Sequence, residues 1–215
     1  MTHLQEILKE IPSDVRLVVV SKTVPVETIM EVYKAGHKIF GENRAQAIIE
    51  KQPLLPKDIE WHFIGHLQSN KVKYIAPFVS MIHSVDSFRL LKEINKEAAK
   101  NDRIISCLLQ FHIATEETKF GLDMAEAKDI LGNPELLDLK NVRICGVMGM
   151  ATFTENNDLV RKEFRTLKEI FTTIQTGFFR DDPYFREISM GMSGDYRIAI
   201  EEGSTIVRIG TAIFA

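Results

Sequence analysis

The chain has 215 residues, 45% of them apolar and 27% charged, with a formal net charge of −3; a sizeable core is within reach. Lys and Arg form no basic stripe of the kind nucleic acid requires. The longest apolar runs fall far short of the roughly 18 residues of a membrane span, and the opening MTHLQEILKEIPSD is too polar for a secretion signal. These exclusions predict a cytoplasmic protein that engages neither nucleic acid nor membrane.

In chain order, THLQEILKEI predicts a leading helix. Eight short apolar runs then follow, rich in Val, Ile or Phe: LVVVSK (17–22), HKIFGE (37–42), EWHFIG (60–65), SMIHSV (80–85), SCLLQFHI (106–113), VRICGVMG (142–149), EISMG (187–191) and STIVRIG (204–210). Such runs read as strands buried on both faces. Helical patterns lie between them. TVPVETIMEVYKAG has a proline near its first turn and stops at Gly36. DMAEAKDILGNP opens with Asp123 and Glu126 at capping-box spacing and closes on Gly132, Asn133 and Pro134. TENNDLVRKEFRTLKEIFTTIQTG is long and amphipathic, with Gly177 at its exit, and DYRIAIEEG is short and ends at Gly203. TGFFRDDPYF reads as a loop with aromatic anchors. No linker divides the chain, so one domain over residues 1–215 is expected.

Eight strands with intervening helices predict a single compact (β/α)8 TIM barrel, although the chain is shorter than the roughly 250 residues typical of that fold. A doubly wound open sheet is the competing topology. The two cysteines, Cys107 and Cys145, lie inside apolar strands without a CxxC partner and read as buried, reduced core residues.

In a barrel, chemistry belongs at the C-terminal ends of the strands. Lys22, Asn43, His66, Met150, Ser193, Gly210 and Thr211 all follow or end strands and would share one rim. Phosphate sites in such barrels are often built from the loops after strands 7 and 8. SMGMSGDY supplies glycines and the Ser193 hydroxyl there, and RIGT supplies Gly210 and Thr211. The ordinary reading of these loops is strand-to-helix turns rich in Gly and Ser.

Lys22 has an ordinary reading too, an amine emerging into water at a strand end. Beside a phosphate site, an amine flanked by apolar groups reads instead as a nucleophile toward a carbonyl. Lysine plus phosphate site points to an aldehyde carrying a phosphate, and pyridoxal 5′-phosphate fits. Arg208 alternates with Val207 and Ile209 and is expected to face the barrel interior. Its acceptor is either a carboxylate, such as Glu42 or Glu187, or an atom of the cofactor. His62, His83 and His112 show no metal-ligand spacing and read by default as core or rim histidines; for His62 the alternative is a place lining the mouth.

Taken together, VVVSKT, FGENRAQ, WHFIGHLQSNK, TKFGL and ISMGMSGDYRIAIEEGSTIVRIGTAIF closely resemble, in order, the pyridoxal phosphate homeostasis protein family, itself similar to the N-terminal barrel of alanine racemase. The resemblance implies that Lys22 carries pyridoxal phosphate as a Schiff base. It places Ser193, Gly194, Gly210 and Thr211 around the phosphate and Arg208 at the pyridine nitrogen, with Asn43 and His62 in pocket-side motifs. Members often read SKTKP where this chain reads SKTVP, so Val24 stands in place of a second lysine.

The expected function is intracellular homeostasis of pyridoxal phosphate, by buffering or carriage to apoenzymes. A guanidinium cannot accept a proton from the ring nitrogen, which weakens the ring as an electron sink. In the racemase-like family the second base is a tyrosine of an appended domain, and this sequence ends with strand 8. That domain also builds the racemase dimer, so a monomer is expected. The alternatives are a weak pyridoxal-phosphate-dependent racemase or decarboxylase, and a Schiff-base aldolase acting on a sugar phosphate.

Overall fold

The structure, a computed structural model, describes residues 2–115 and 120–214. Thr118 and Lys119 of the TKFGL motif lie outside the described residues. Eight parallel strands close into a barrel in chain order: β1 (Arg16–Val20), β2 (Ile39–Glu42), β3 (Glu60–Phe63), β4 (Val79–Val85), β5 (Ile105–Phe111), β6 (Val142–Gly149), β7 (Glu187–Ser189) and β8 (Ile206–Ile209). Closure runs through β1 and β8, with Leu17 opposite Val207 and Val18 opposite Arg208. The open-sheet alternative is thereby excluded.

The strands are shorter than the apolar runs that announce them. β1 stops at Val20 rather than Lys22. The Ser21 carbonyl accepts from Val24 N–H at 3.0 Å and from Lys51 Nζ at 2.7 Å, so it has left the ladder. β8 likewise runs 206–209 rather than 204–210, because the Ser204 hydroxyl turns back to the Met190 carbonyl at 2.8 Å.

The helices are α1 (Thr2–Glu10), α2 (Val26–Lys34), α3 (Ala45–Lys51), α4 (Val72–Ile75), α5 (Phe88–Ala99), α6 (Met124–Leu131), α7 (Asn157–Phe178), α8 (Tyr196–Glu201) and α9 (Thr211–Phe214). The capping box of α6 forms as its spacing predicts: Asp123 Oδ1 accepts from Glu126 N–H at 2.8 Å, and Asp123 N–H donates to Glu126 Oε2 at 2.9 Å. α7 begins where Asn156 caps Leu159 N–H at 3.1 Å, but it runs through Gly177 to Phe178. The aromatic anchors after α7 stack, Phe179 on Phe185 at 4.4 Å and Phe171 on Phe185 at 5.1 Å. The sequence reading marked no ends for α3, α4 and α5. Ser87, whose hydroxyl accepts from Leu90 N–H at 3.3 Å, is the capping signal that announces α5.

Two apolar layers hold the barrel together. Between strands and helices packs a continuous cluster including Phe40, Trp61, Phe63, Phe164 and Leu167. Inside the barrel a smaller one joins Val18, Met81, Leu108, Cys145, Met148 and Ile206. Cys107 lies in the outer layer and Cys145 in the inner one, both buried and unbridged as the sequence predicts. Burial pushes both thiols up, away from ionisation. Among the described residues no helix is long and apolar enough to cross a membrane.

Candidate functional site

Parallel strands of a barrel all end on one rim. There a cavity of about 470 Å³ opens, walled in part by Lys22, Asn43, Ser193, Gly194, Arg208, Gly210 and Thr211. The structure thus brings together residues from the exits of β1, β2, β7 and β8. His62 is not on that wall.

Lys22 is exposed, at the second position of the turn closed by Val24 N–H on Ser21 O. It is exposed because the chain has left β1 two residues earlier, while Val20, Ile64 and Met150 line the same cavity. Thr23 follows with φ of +61°, a left-handed conformation costly for a β-branched residue. Its hydroxyl donates to the Lys22 carbonyl at 2.6 Å. Val24 is half-buried against the core.

Asn43 is exposed on the wall where β2 exits. Gly65, at the exit of β3, lies so close that an added Cβ would stand 2.1 Å from the Asn43 carbonyl oxygen. The glycine of IGH therefore lets two neighbouring loops share the rim.

The loops after β7 and β8 are tied to each other. Ser193 Oγ accepts from Gly210 N–H at 3.3 Å and from Ala212 N–H at 3.4 Å. Asp195 Oδ1 accepts from Met192 N–H at 2.5 Å and closes the first loop on itself. The N–H groups of Ser193, Gly194 and Thr211 have no hydrogen-bond partner among the described residues. An added Cβ on Gly194 would meet nothing within 4 Å. The result is a cluster of donors and a hydroxyl, Thr211, around an open space, which suits an anion.

Arg208 is 3% exposed yet reaches the cavity wall. The carboxylate partners considered from sequence are engaged elsewhere: Glu42 with Lys51 at 2.5 Å and Glu187 with Arg16 at 2.9 Å. Arg208 instead donates from Nη1 to the Ser189 carbonyl at 2.8 Å and Ser189 Oγ at 2.5 Å. Its Nη2 donates to the Gly149 carbonyl at 3.2 Å. Burial pushes the guanidinium down to about 10, against the opposing charge of Asp195. It still carries its proton at neutral pH.

His62 is buried inside the barrel below the cavity, with Nδ1 2.9 Å from His83 Nε2. Alternation along β3 gives the inward direction of its side chain but not its depth. Burial pushes His62 down to about 3 and His83 well below its usual range, so both rings are neutral.

The wall also holds residues that the sequence reading gave no role: Gln110, Phe120, Phe153, Asn157 and Asp195. Gln110 occupies an inward position of β5, and its Nε2 donates to the Phe120 carbonyl at 3.0 Å. His66 stacks on Phe120 at 4.4 Å and lies 3.3 Å from Asp86. Strand alternation could have singled out Gln110; Phe153 arrives on the β6–α7 connection, which carries no periodic signal, and Asn157 on the first turn of α7.

Residues 2–215 match the family model of the alanine racemase N-terminal domain. The pyridoxal phosphate homeostasis protein of Aquifex aeolicus is 44% identical over 93% of this chain and 86% of its own. PipY of Synechococcus elongatus, solved without pyridoxal phosphate, superposes with a TM-score of 0.92 at 34% identity, covering 100% of this chain and 99% of that one. The same protein with pyridoxal phosphate bound gives 0.89 at 33% identity over the same shares. On this similarity in sequence and barrel, the chain belongs to the alanine racemase N-terminal domain family and, within it, to the pyridoxal phosphate homeostasis proteins.

Proposed function

We propose that the cavity binds pyridoxal 5′-phosphate and that the chain serves intracellular homeostasis of this cofactor by holding and releasing it. The observation that carries the reading is the convergence on one cavity of an exposed amine, a buried guanidinium and the unpartnered donors of two loops. PipY, which has the same barrel, has been solved with pyridoxal phosphate bound.

The residues present fit the cofactor's parts. Bound pyridoxal phosphate supplies an aldehyde that condenses with amines and a ring that withdraws electrons. Lys22 offers the amine that would hold the aldehyde as a Schiff base. The N–H groups of Ser193, Gly194 and Thr211, with the Thr211 hydroxyl, offer donors to the phosphate. Arg208 offers a donor to the ring nitrogen and, having no acceptor, keeps that nitrogen unprotonated. Asn43 borders the same wall. His62 supports the site from below rather than by contact.

Holding is favoured over turnover by the placement of the tyrosines, the residue type that serves as second base in the racemase-like proteins. Tyr33 bonds Asp58, Tyr196 bonds Glu10, Tyr184 lies under Arg143 and Tyr74 under Lys73. None lines the cavity. The reading extends to a cytoplasmic, single-domain monomer that passes pyridoxal phosphate to apoenzymes.

The test is the visible absorption spectrum of the purified protein, followed by borohydride reduction and peptide mapping. The expected result is a yellow protein whose label is fixed on the peptide containing Lys22. A colourless protein that stays colourless with added pyridoxal phosphate, or a label mainly on another lysine, would refute the proposal.

A further inference from the structure

Arg208 is gripped from one side. Its Nη1 donates to Ser189 Oγ at 2.5 Å; Ser189 Oγ is 2.9 Å from His83 Nδ1; His83 Nε2 is 2.9 Å from His62 Nδ1. All four side chains are buried, and they come from β8, β7, β4 and β3, so the chain crosses the barrel interior.

The direction of these hydrogen bonds follows from counting protons. A guanidinium only donates, so Ser189 Oγ accepts from Arg208. The serine is fully buried, and its own proton needs an acceptor. His83 Nδ1 is the acceptor within reach, so that nitrogen bears the lone pair. A neutral imidazole then carries its proton on Nε2, and His83 donates to His62 Nδ1. Every bond therefore runs the same way, from the cavity wall inward. Protonating either ring would turn an acceptor in this row into a donor. Burial opposes that, reinforced at His83 by its neighbour His62 and by Arg208 and Arg16.

We infer that Ser189 and His83, backed by His62, are positioning residues for Arg208: they fix the inner edge of the guanidinium so that its remaining N–H groups face the cavity. The inference rests on the proposed function, in which the ring nitrogen of pyridoxal phosphate accepts from Arg208. It also explains why a His62 below the cavity belongs to the site, at two removes from it. The Ser189 carbonyl and Gly149 carbonyl set the plane of the guanidinium. Ser189 Oγ and the ring behind it set which donor is left over.

The experiment compares binding of pyridoxal phosphate with that of its carbocyclic analogue, in which C–H replaces the ring nitrogen. Wild type should prefer the natural cofactor by about ten- to a hundredfold, as a hydrogen bond from a charged donor implies. In Ser189→Ala and His83→Leu that ratio should collapse toward one. His83→Asn, which keeps an acceptor for the Ser189 hydroxyl, should restore much of it. A merely structural role would weaken both ligands together and leave the ratio intact. Ser189→Ala removes a single atom and carries the test if His83→Leu does not fold. A wild-type preference that survives in Ser189→Ala overturns the inference alone. Equal affinities in wild type overturn the assignment of the ring nitrogen to Arg208, and this inference with it.

Discussion

Lys51, the last residue of α3, donates from Nζ to the carbonyl oxygen of Ser21 at 2.7 Å, one residue before Lys22. The same ammonium lies 2.5 Å from Glu42 Oε1, which also accepts from Ser21 Oγ at 2.9 Å. Glu42 is fully buried. A buried ion pair thus braces the turn that presents Lys22. Lys51→Met would leave an unpaired buried carboxylate, which should cost about 3–5 kcal/mol. Adding Glu42→Leu should recover most of that loss, because replacing both partners of a buried pair by apolar groups is close to neutral. Urea unfolding of the single and double variants checks both statements.

The phosphate assignment makes a ligand-specific prediction. Thr211 stands at the exit of β8 on the cavity wall. Thr211→Val removes a hydroxyl while preserving shape, and should weaken binding of pyridoxal phosphate by about ten- to a hundredfold. Pyridoxal, which lacks the phosphate, should bind wild type poorly and be indifferent to the substitution. Titration of both ligands into both proteins measures this. Pyridoxal binding as tightly as its phosphate would remove the anion site from the loops after β7 and β8.

Stability should fall on mild acidification. In the unfolded chain His62 and His83 take up protons near pH 6.5. In the barrel, burial holds His62 neutral down to about 3 and His83 neutral well below its usual range. His37 is shifted the same way by burial. Between these limits the unfolded state binds more protons, so stability decreases as pH falls. The slope should approach about 1.4 kcal/mol per pH unit for each buried ring below about pH 6. Unfolding free energies at pH 7, 6 and 5 test this. A flat profile would mean that the rings are charged, or solvated, in the folded protein.

Thr23 holds φ of +61° next to Lys22. Asparagine tolerates that conformation far better than a β-branched residue. Thr23→Asn should therefore raise stability, by about 1 kcal/mol. The expected accompaniment is slower or weaker capture of pyridoxal phosphate, because the turn then samples other orientations of Lys22. Thermal unfolding and the rate of absorbance change on adding the cofactor read the two effects separately.

How much of this was legible in residues alone can be judged from Lys22, Arg208 and His62. Lys22, Ser193, Gly210 and Thr211 follow short apolar runs in a repeating strand–helix order. In a parallel barrel every such position reaches the same rim, so sequence order alone brought them to one cavity. The inward direction of Arg208 was legible for a similar reason, since alternation between Val207 and Ile209 decides the face of a strand. Its partner was not. Charge suggested Glu42 or Glu187, yet β7 presents Ser189 to Arg208 while Glu187 meets Arg16 nearer the other end of the barrel. Periodicity says which way a side chain points, but not its height along the barrel axis. That height depends on the stagger between strands that closure imposes. The same ignorance of depth leaves His62 between core and mouth in the sequence, and β3 carries it to a buried layer beside His83. Strand count and alternation thus determined the barrel, its rim and the inward face of Arg208. Only the tertiary register decided which neutral groups stand behind it.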